Sequence, residues 1–503
     1  MKNQLKVGVV LSYISTAVSI VIQLLYMPVM IRLLGQSEYG LYSLVSGVVS
    51  YLSLFSLGFS GAYMRFFARF CGDREKTASL NGMFIILFSV LASLATICGI
   101  VLSFFPKQIF GDKLLATELS KAKILMVILV VNIAISLING LFNAIVSAHE
   151  QFLFQRVLGI LSTVINPFVT LPFLLIGYRS VMIVTVTTVI TFAQLLANIF
   201  FCIYKIKIPV SFMGFDWRLL KEIAIFSSFL FINILIDQIN WNVDKLILGR
   251  TSGTSEVAVY GVASQFNSLF MTFSITISTV FVPRVNHIAA QKENDCSIEF
   301  TELMTKIGRI QWMVLGLPTL GFIVFGKYFI VNIYAGKGYE NAYAAALFLV
   351  LPAIVPLIQN VGLEMQRALN KHQFRSIIYL IMAIGNILIS IPLAKRFGAV
   401  GASMGTALSL AVCNGLIMNV FYHKVLRIDM KYFWKEILKT IKGLIIPIVT
   451  AILFMKFVEF KNMAVFFISI CAFIVIYCVS VIVFSCNRQE KNILLGMIGK
   501  VKR

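Results

Sequence analysis

The chain has 503 residues, 59% of them hydrophobic and 13% charged, with a mean hydropathy of +0.91 and a formal net charge of +22. No water-soluble domain of this size tolerates so apolar a surface, so the composition excludes a soluble protein and requires lipid around the chain. The basic residues sit in short loops between long apolar runs, which is a membrane-orientation pattern and removes nucleic acid as a partner.

About fourteen runs reach the roughly 20 apolar residues needed to cross a bilayer. Span one, centred on Ser19, follows Lys2 and Lys6; it is longer than a signal-peptide core, lacks a small-x-small cleavage pattern, and is expected to remain as a membrane helix. It carries Ser12, Ser15, Ser19, Gln23 and Tyr26 on one stripe, and span two, centred on Tyr51, carries Ser43, Ser46, Ser50 and Ser53. Span three centres on Leu94, and span four, on Ala134, presents Asn132, Ser136, Asn139, Asn143 and Ser147. Spans five and six centre on Pro167 and Ile190. Span seven, on Leu235, places Asn233, Asp237, Asn240 and Asp244 on one face by spacings of four, three and four. Spans eight to ten centre on Phe270, Gly316 and Ile354, the last ending in Asn360, Glu364 and Arg367. The remaining centres are Ala383, Leu410, Ile448 and Ile474.

With a cytoplasmic N-terminus, 29 of the 43 Lys and Arg fall on the inner side, a positive-inside bias of about two to one that puts both termini in the cytoplasm. The eight cysteines show no paired spacing and mostly sit in apolar runs, so neither a disulfide framework nor a metal site is expected. His149, His287, His372 and His423 fall at the inner ends of spans four, eight, ten and twelve, where helix C-termini favour them.

The two halves repeat. Ser37-Glu38-x3-Tyr42-x3-Ser46 matches Ser255-Glu256-x3-Tyr260-x3-Ser264, Gln151-Phe152 matches Gln373-Phe374, and Asn166-x5-Pro172 matches Asn386-x5-Pro392, at offsets of 218, 222 and 220. The expected organisation is an all-α polytopic fold: a six-helix bundle over 1–208, its repeat over 209–425, and two added helices with a basic tail over 426–503. An even-numbered repeat enters the membrane from the same side, so the bundles are related by an axis along the membrane normal and enclose a central cavity.

A charge at a span centre costs about 2.5–3.5 kcal/mol, so polar faces are expected to line that cavity. Asp237, the acid near mid-span with no basic residue within one turn, is the candidate for binding a cation or exchanging a proton. For Asp244 and Lys245 an ion pair or cap and a gate are both open readings. Glu364 and Arg367 are spaced to pair, and the serines of span two also suit close helix packing.

Arg32-Leu33-Leu34-Gly35-x2-Glu38-Tyr39-Gly40-Leu41-Tyr42, Asp244-Lys245-Leu246-Ile247-Leu248-Gly249, Tyr260-Gly261-Val262-Ala263 and the Gln151-Phe152 and Gln373-Phe374 turns resemble the polysaccharide transporter branch, the O-antigen and capsule flippases, of the multidrug/oligosaccharidyl-lipid/polysaccharide exporter superfamily. The likeness covers essentially the whole chain, including the last helix pair that drug-extruding relatives usually lack. It implies a V-shaped, alternating-access carrier of polyprenyl-pyrophosphate-linked oligosaccharide, with no cofactor beyond coupling to H+ or Na+, working among membrane lipids and polysaccharide polymerase machinery. Relatives often hold the pyrophosphate with cavity arginines. Mid-span arginines are absent here, leaving Arg65, Arg69 and Arg367, whose other reading is positive-inside anchoring.

Three rival functions stand beside this one. A drug or toxin antiporter would share the duplicated fold, but the last two spans and the broad polar lining count against it. An enzyme would need a large outer loop or an Asp-x-Asp pair, and the chain has neither. Flipping of another lipid-linked precursor is not separable by sequence.

Overall fold

The computed structural model describes residues 2–70, 72–212, 216–291, 296–369, 371, 373–460, 462–487 and 490, with the side chains of 2–13, 229, 230, 233 and 291 outside the description. Among the described residues all regular structure is helical. In chain order come α1 (Lys2–Leu34), α2 (Gln36–Phe70), α3 (Arg74–Ser103), α4 (Ala116–Ala148), α5 (Phe152–Leu175), α6 (Ser180–Ile206) and α7 (Trp217–Thr251). α8 (Thr254–Thr279) then bends by 45° into a helix beginning at Val282. α9 (Ser297–Tyr334) and α10 (Glu340–Ile358, continued by Val361–Ala368) follow.

The next 52 residues, Gln373–Lys424, are helical throughout except at Gly398, whose φ of 57° and ψ of −136° break the helix. Only glycine adopts that backbone at little cost. Ser390 bonds Ala402 O at 3.3 Å, Thr406 bonds Asn386 at 3.3 Å, and Tyr379 bonds Asn414 at 2.8 Å, so the chain folds back on itself. The segment is therefore an antiparallel pair, α11 (373–397) and α12 (399–424). α13 (Met430–Phe457) and α14 (Met463–Phe484) close the chain.

Eleven described helices are long and apolar enough to span, and the bent α8 makes a twelfth. Splitting α11 from α12 and adding α7, whose 35 residues reach about 50 Å, brings the described spans to fourteen, as the sequence pattern requires.

Packing divides the chain into two compact units, one of residues up to Gly261 with Ser390–Ala402, the other of Val262–Ile389 with the residues from Ser403 on. This is a different partition from the sequence repeat, because α7 lies against α2. In the first unit Tyr63, Phe66, Phe84, Phe88 and Ile145 form the core; in the second, Phe300, Met304, Val361, Met365 and Phe433 do.

Each unit contains its own copy of three fastenings. In the first, Phe154 stacks on Phe201 at 3.8 Å, Asn166 donates to Thr187 at 3.1 Å, and Asn198 donates to Asn139 at 2.7 Å. In the second, Phe374 stacks on Phe421 at 4.4 Å, Thr406 donates to Asn386, and Gln359 donates to Asn419 at 2.9 Å. The members correspond at offsets of 219 to 221, so the repeat extends to side-chain pairs.

In the second unit Arg309 of α9 is buried among acids. Its Nε and Nη2 donate to the two Glu490 oxygens at 2.9 and 3.1 Å, and its Nη1 donates to Glu436 Oε2 at 3.3 Å and Glu436 O at 3.1 Å. A guanidinium fork matched to a carboxylate in this way is a strong, directional contact. Burial alone would raise the Glu490 carboxyl, but the Arg309 hydrogen bonds, the Asn487 N–H and the neighbouring charges outweigh it and hold it below 4.5. A carboxyl with a depressed folded value gives stability that is complete above its unfolded value and is lost as pH falls through the folded one. Thermal unfolding in detergent should therefore show an acid loss below about pH 4, and Glu490→Gln should lower Tm at pH 7 while flattening that loss; an unchanged acid limb would remove Glu490 from it.

Candidate functional site

The polar face of α7 is the centre of the site. Asp237 is exposed, Asn240 is half-buried, and Asp244 is fully buried with its Oδ2 accepting from the Tyr260 hydroxyl at 2.8 Å. Asn233 belongs to the same stripe, but its side chain lies outside the described residues. The Oδ1 of Asn240 is enclosed without a hydrogen-bond partner among the described residues. A buried acceptor left so costs roughly 1–3 kcal/mol unless water or a ligand reaches it.

Between these positions stands Gln238, which periodicity did not single out. Its Oε1 accepts from Ser50 at 3.1 Å and Asn242 at 2.8 Å, and its Nε2 donates to Ser53 at 3.1 Å. Ser50 and Ser53 lie in Ser50–Ser56, where α2 tightens into a 3-10 helix that ends at Leu57 with φ 47°. The serine stripe of α2 thus opposes α7 through one amide. Lys245 reaches the same seam, its Cδ 3.3 Å from where a Cβ on Gly47 would be. Gln238→Leu should cost about 1–2 kcal/mol of thermal stability by leaving these groups unmatched; a Tm equal to that of the unaltered chain would show the seam to be slack.

The amides of α4 are turned to α6. Asn132 donates to Thr191 at 3.1 Å, and Asn198 donates to both Asn139 at 2.7 Å and Asn143 at 3.2 Å. The geometry gives them a helix-fastening role within the first unit. Gln23 is half-buried on α1, which packs along α5. Among the arginines, Arg69 pairs with Glu222 of α7 at 3.0 Å, while Arg65 lies with its guanidinium 4.5 Å over the Phe226 ring. In the second unit Asn360 occupies the break in α10, and Arg367 pairs with Glu364 at 2.8 Å. His149 and His423 bond Ile145 O and Ile428 O at their helix ends; His372 lies outside the described residues.

A second network, not anticipated from residue types, gathers helix N-termini within the first unit. Glu118 on α4 accepts from Ser37 Oγ at 2.6 Å, Thr254 Oγ1 at 2.8 Å and its own cap, Leu115 N, at 2.9 Å. Glu38 is buried, accepting from Lys121 at 2.7 Å and from Ser180, the first residue of α6, at 2.5 Å. Its repeat mate Glu256 accepts from Ala399 N, at the start of α12, at 2.6 Å. Carboxylates at helix N-termini satisfy orphan N–H groups and the helix dipole.

The Ser-Glu motif of each repeat therefore meets the start of a later helix, through the Ser180 hydroxyl for Glu38 and the Ala399 N–H for Glu256. Here α2 and the start of α8 also touch at positions equivalent in the repeat: a Cβ on Gly40 would lie 3.2 Å from Ala258 N and 1.9 Å from Thr254 O, and one on Gly261 would lie 3.2 Å from Ser43 Oγ. Gly40 corresponds to Ala258 and Ser43 to Gly261, and self-paired positions of this kind mark a local two-fold axis.

Comparison with known proteins agrees with this architecture. Residues 6–289 match the model of a family described as polysaccharide biosynthesis protein. The chain is 19% identical over 405 residues to a putative O-antigen transporter of Shigella flexneri, covering 78% of this chain and 92% of that one. Among solved structures it is similar to the lipid II flippase MurJ in an inward closed conformation, with TM-score 0.74, 17% identity, and coverage of 95% and 98%. It is also similar to an inward-facing multidrug resistance MATE family transporter of the MOP superfamily, with TM-score 0.59, 14% identity, and coverage of 84% and 99%.

Proposed function

Since the chain belongs to the polysaccharide biosynthesis protein family, we propose that it is a flippase for polyprenyl-pyrophosphate-linked oligosaccharide, the repeat units of O-antigen, capsule or exopolysaccharide. The observation carrying this reading is the α7 face, where exposed Asp237 and the enclosed, unmatched Asn240 acceptor stand on a membrane-crossing helix. Polar groups persist in a span when they serve a hydrated path or a ligand. Sugar hydroxyls donate to such acceptors, while sugars and pyrophosphate cannot cross hydrocarbon unaided.

The repeats over 1–208 and 209–425 work by alternating access, with Asp237 coupling the movement to H+ or Na+. Of the three arginines, Arg65 suits pyrophosphate best: stacking over Phe226 uses its face and directs its N–H edge elsewhere, whereas Arg69 and Arg367 already hold carboxylates. The charge distribution supports a cytoplasmic membrane location with both termini inside, where polysaccharide polymerase machinery would receive the product on the outer face.

Expression in a bacterial strain lacking its own flippase tests this. Restoration of surface polysaccharide is the expected result. Drug resistance without surface polysaccharide would replace the reading with a drug antiporter.

A further inference from the structure

Within the second unit a crevice of about 430 Å³ opens between the end of α9, the start of α10, and the end of α13 with the residues that follow it. Its walls are mostly apolar, with Ile323, Val324, Val331, Met455 and Phe460 among them. Lys327, Asn332 and Glu340 line it too and are exposed. The walls are fixed independently of any ligand. Phe460 packs against Phe325 at 5.5 Å, Tyr328 at 5.6 Å and Phe466 at 5.7 Å, and the Tyr343 hydroxyl donates to Ile323 O at 2.7 Å.

Position and charge together select the occupant. All three flanking helices cross the membrane, so the molecules that meet an apolar slot at their ends are lipids. Lys327 and Glu340 both line the crevice, so one occupant meets a cation and a carboxylate. An anionic headgroup would satisfy Lys327 but face Glu340, and a quaternary ammonium offers that carboxylate no N–H donor. An ethanolamine phosphate satisfies both, with phosphate on Lys327 and ammonium on Glu340.

We propose that this crevice is a binding site for a phospholipid with an ethanolamine headgroup, its acyl chain lying along Met455 and Phe460. The proposal gives the α13–α14 pair a ligand of its own and does not depend on the transport function.

The test is native mass spectrometry of the purified full chain from micelles holding equal amounts of phosphatidylethanolamine, phosphatidylcholine and phosphatidylglycerol. Phosphatidylethanolamine should be retained several-fold over the other two. Glu340→Gln should erase that preference and raise phosphatidylglycerol, since the opposing charge is gone. Glu340 also accepts from Gly338 N at 3.1 Å, so Lys327→Gln serves as the variant that leaves this turn intact; it should lower retention of all three lipids, since each carries the phosphate. Retention of the three lipids in the proportions supplied, or a phosphatidylethanolamine preference that survives both substitutions, would overturn the proposal and leave only an annular shell.

Discussion

Asp237→Asn is expected to reduce export of surface polysaccharide by at least tenfold while leaving the amount of protein in the membrane unchanged. The substitution keeps the size of the side chain and one acceptor but removes the charge, the one property that binds a cation or carries a proton. Two positions on α7 separate this effect from folding. Asp244 is fully buried and holds Tyr260, so Asp244→Asn should lower both stability and level, whereas exposed Asp237 should not. Quantitative blotting beside a polysaccharide assay distinguishes them. Export by Asp237→Asn at the level of the unaltered chain would take this carboxylate out of the coupling.

The second large effect concerns the N-terminal network. Ser37 and Thr254 lie 3.4 Å apart through their hydroxyls, and both donate to Glu118. Each belongs to a different repeat, so a carrier that alternates its openings must separate them once per cycle. A Ser37→Cys/Thr254→Cys variant, made with the eight native cysteines replaced, is expected to form a disulfide under mild oxidation and to lose nearly all export. Reductant should restore it. A cross-linked protein that exports at the uncross-linked rate would show that this contact stays closed throughout transport.

The fourteen-span layout was legible in the sequence because a bilayer demands long apolar runs, and the repeat was legible because its matched pairs keep their order. The polar faces were only half legible. Periodicity shows that one side of a helix is polar, but it does not show what stands opposite. On α4 the stripe through Asn132, Asn139 and Asn143 reads as a wet face, yet its partners are Thr191 and Asn198 on a helix 59 residues further along. Gln238 escaped notice for the same reason, since its role depends on Ser50 and Ser53, which come more than 180 residues earlier. The Ser-Glu motif was found as a repeat marker, while its partners, Ser180 and Ala399 N, are helix starts that no composition signal reveals.

The clamp on Arg309 sets a condition on how the chain is made. Its carboxylate partner Glu490 is synthesised 181 residues later, which at ordinary bacterial or eukaryotic elongation speeds is an interval on the order of ten to forty seconds. Over the first 127 of those residues the permanently charged guanidinium of α9 has neither of its carboxylate partners, and from Glu436 to Glu490 it has only one of the two. Nascent chains stopped before Glu490 would resemble this waiting state, and they should be the forms that quality-control proteases in the membrane recognise and degrade.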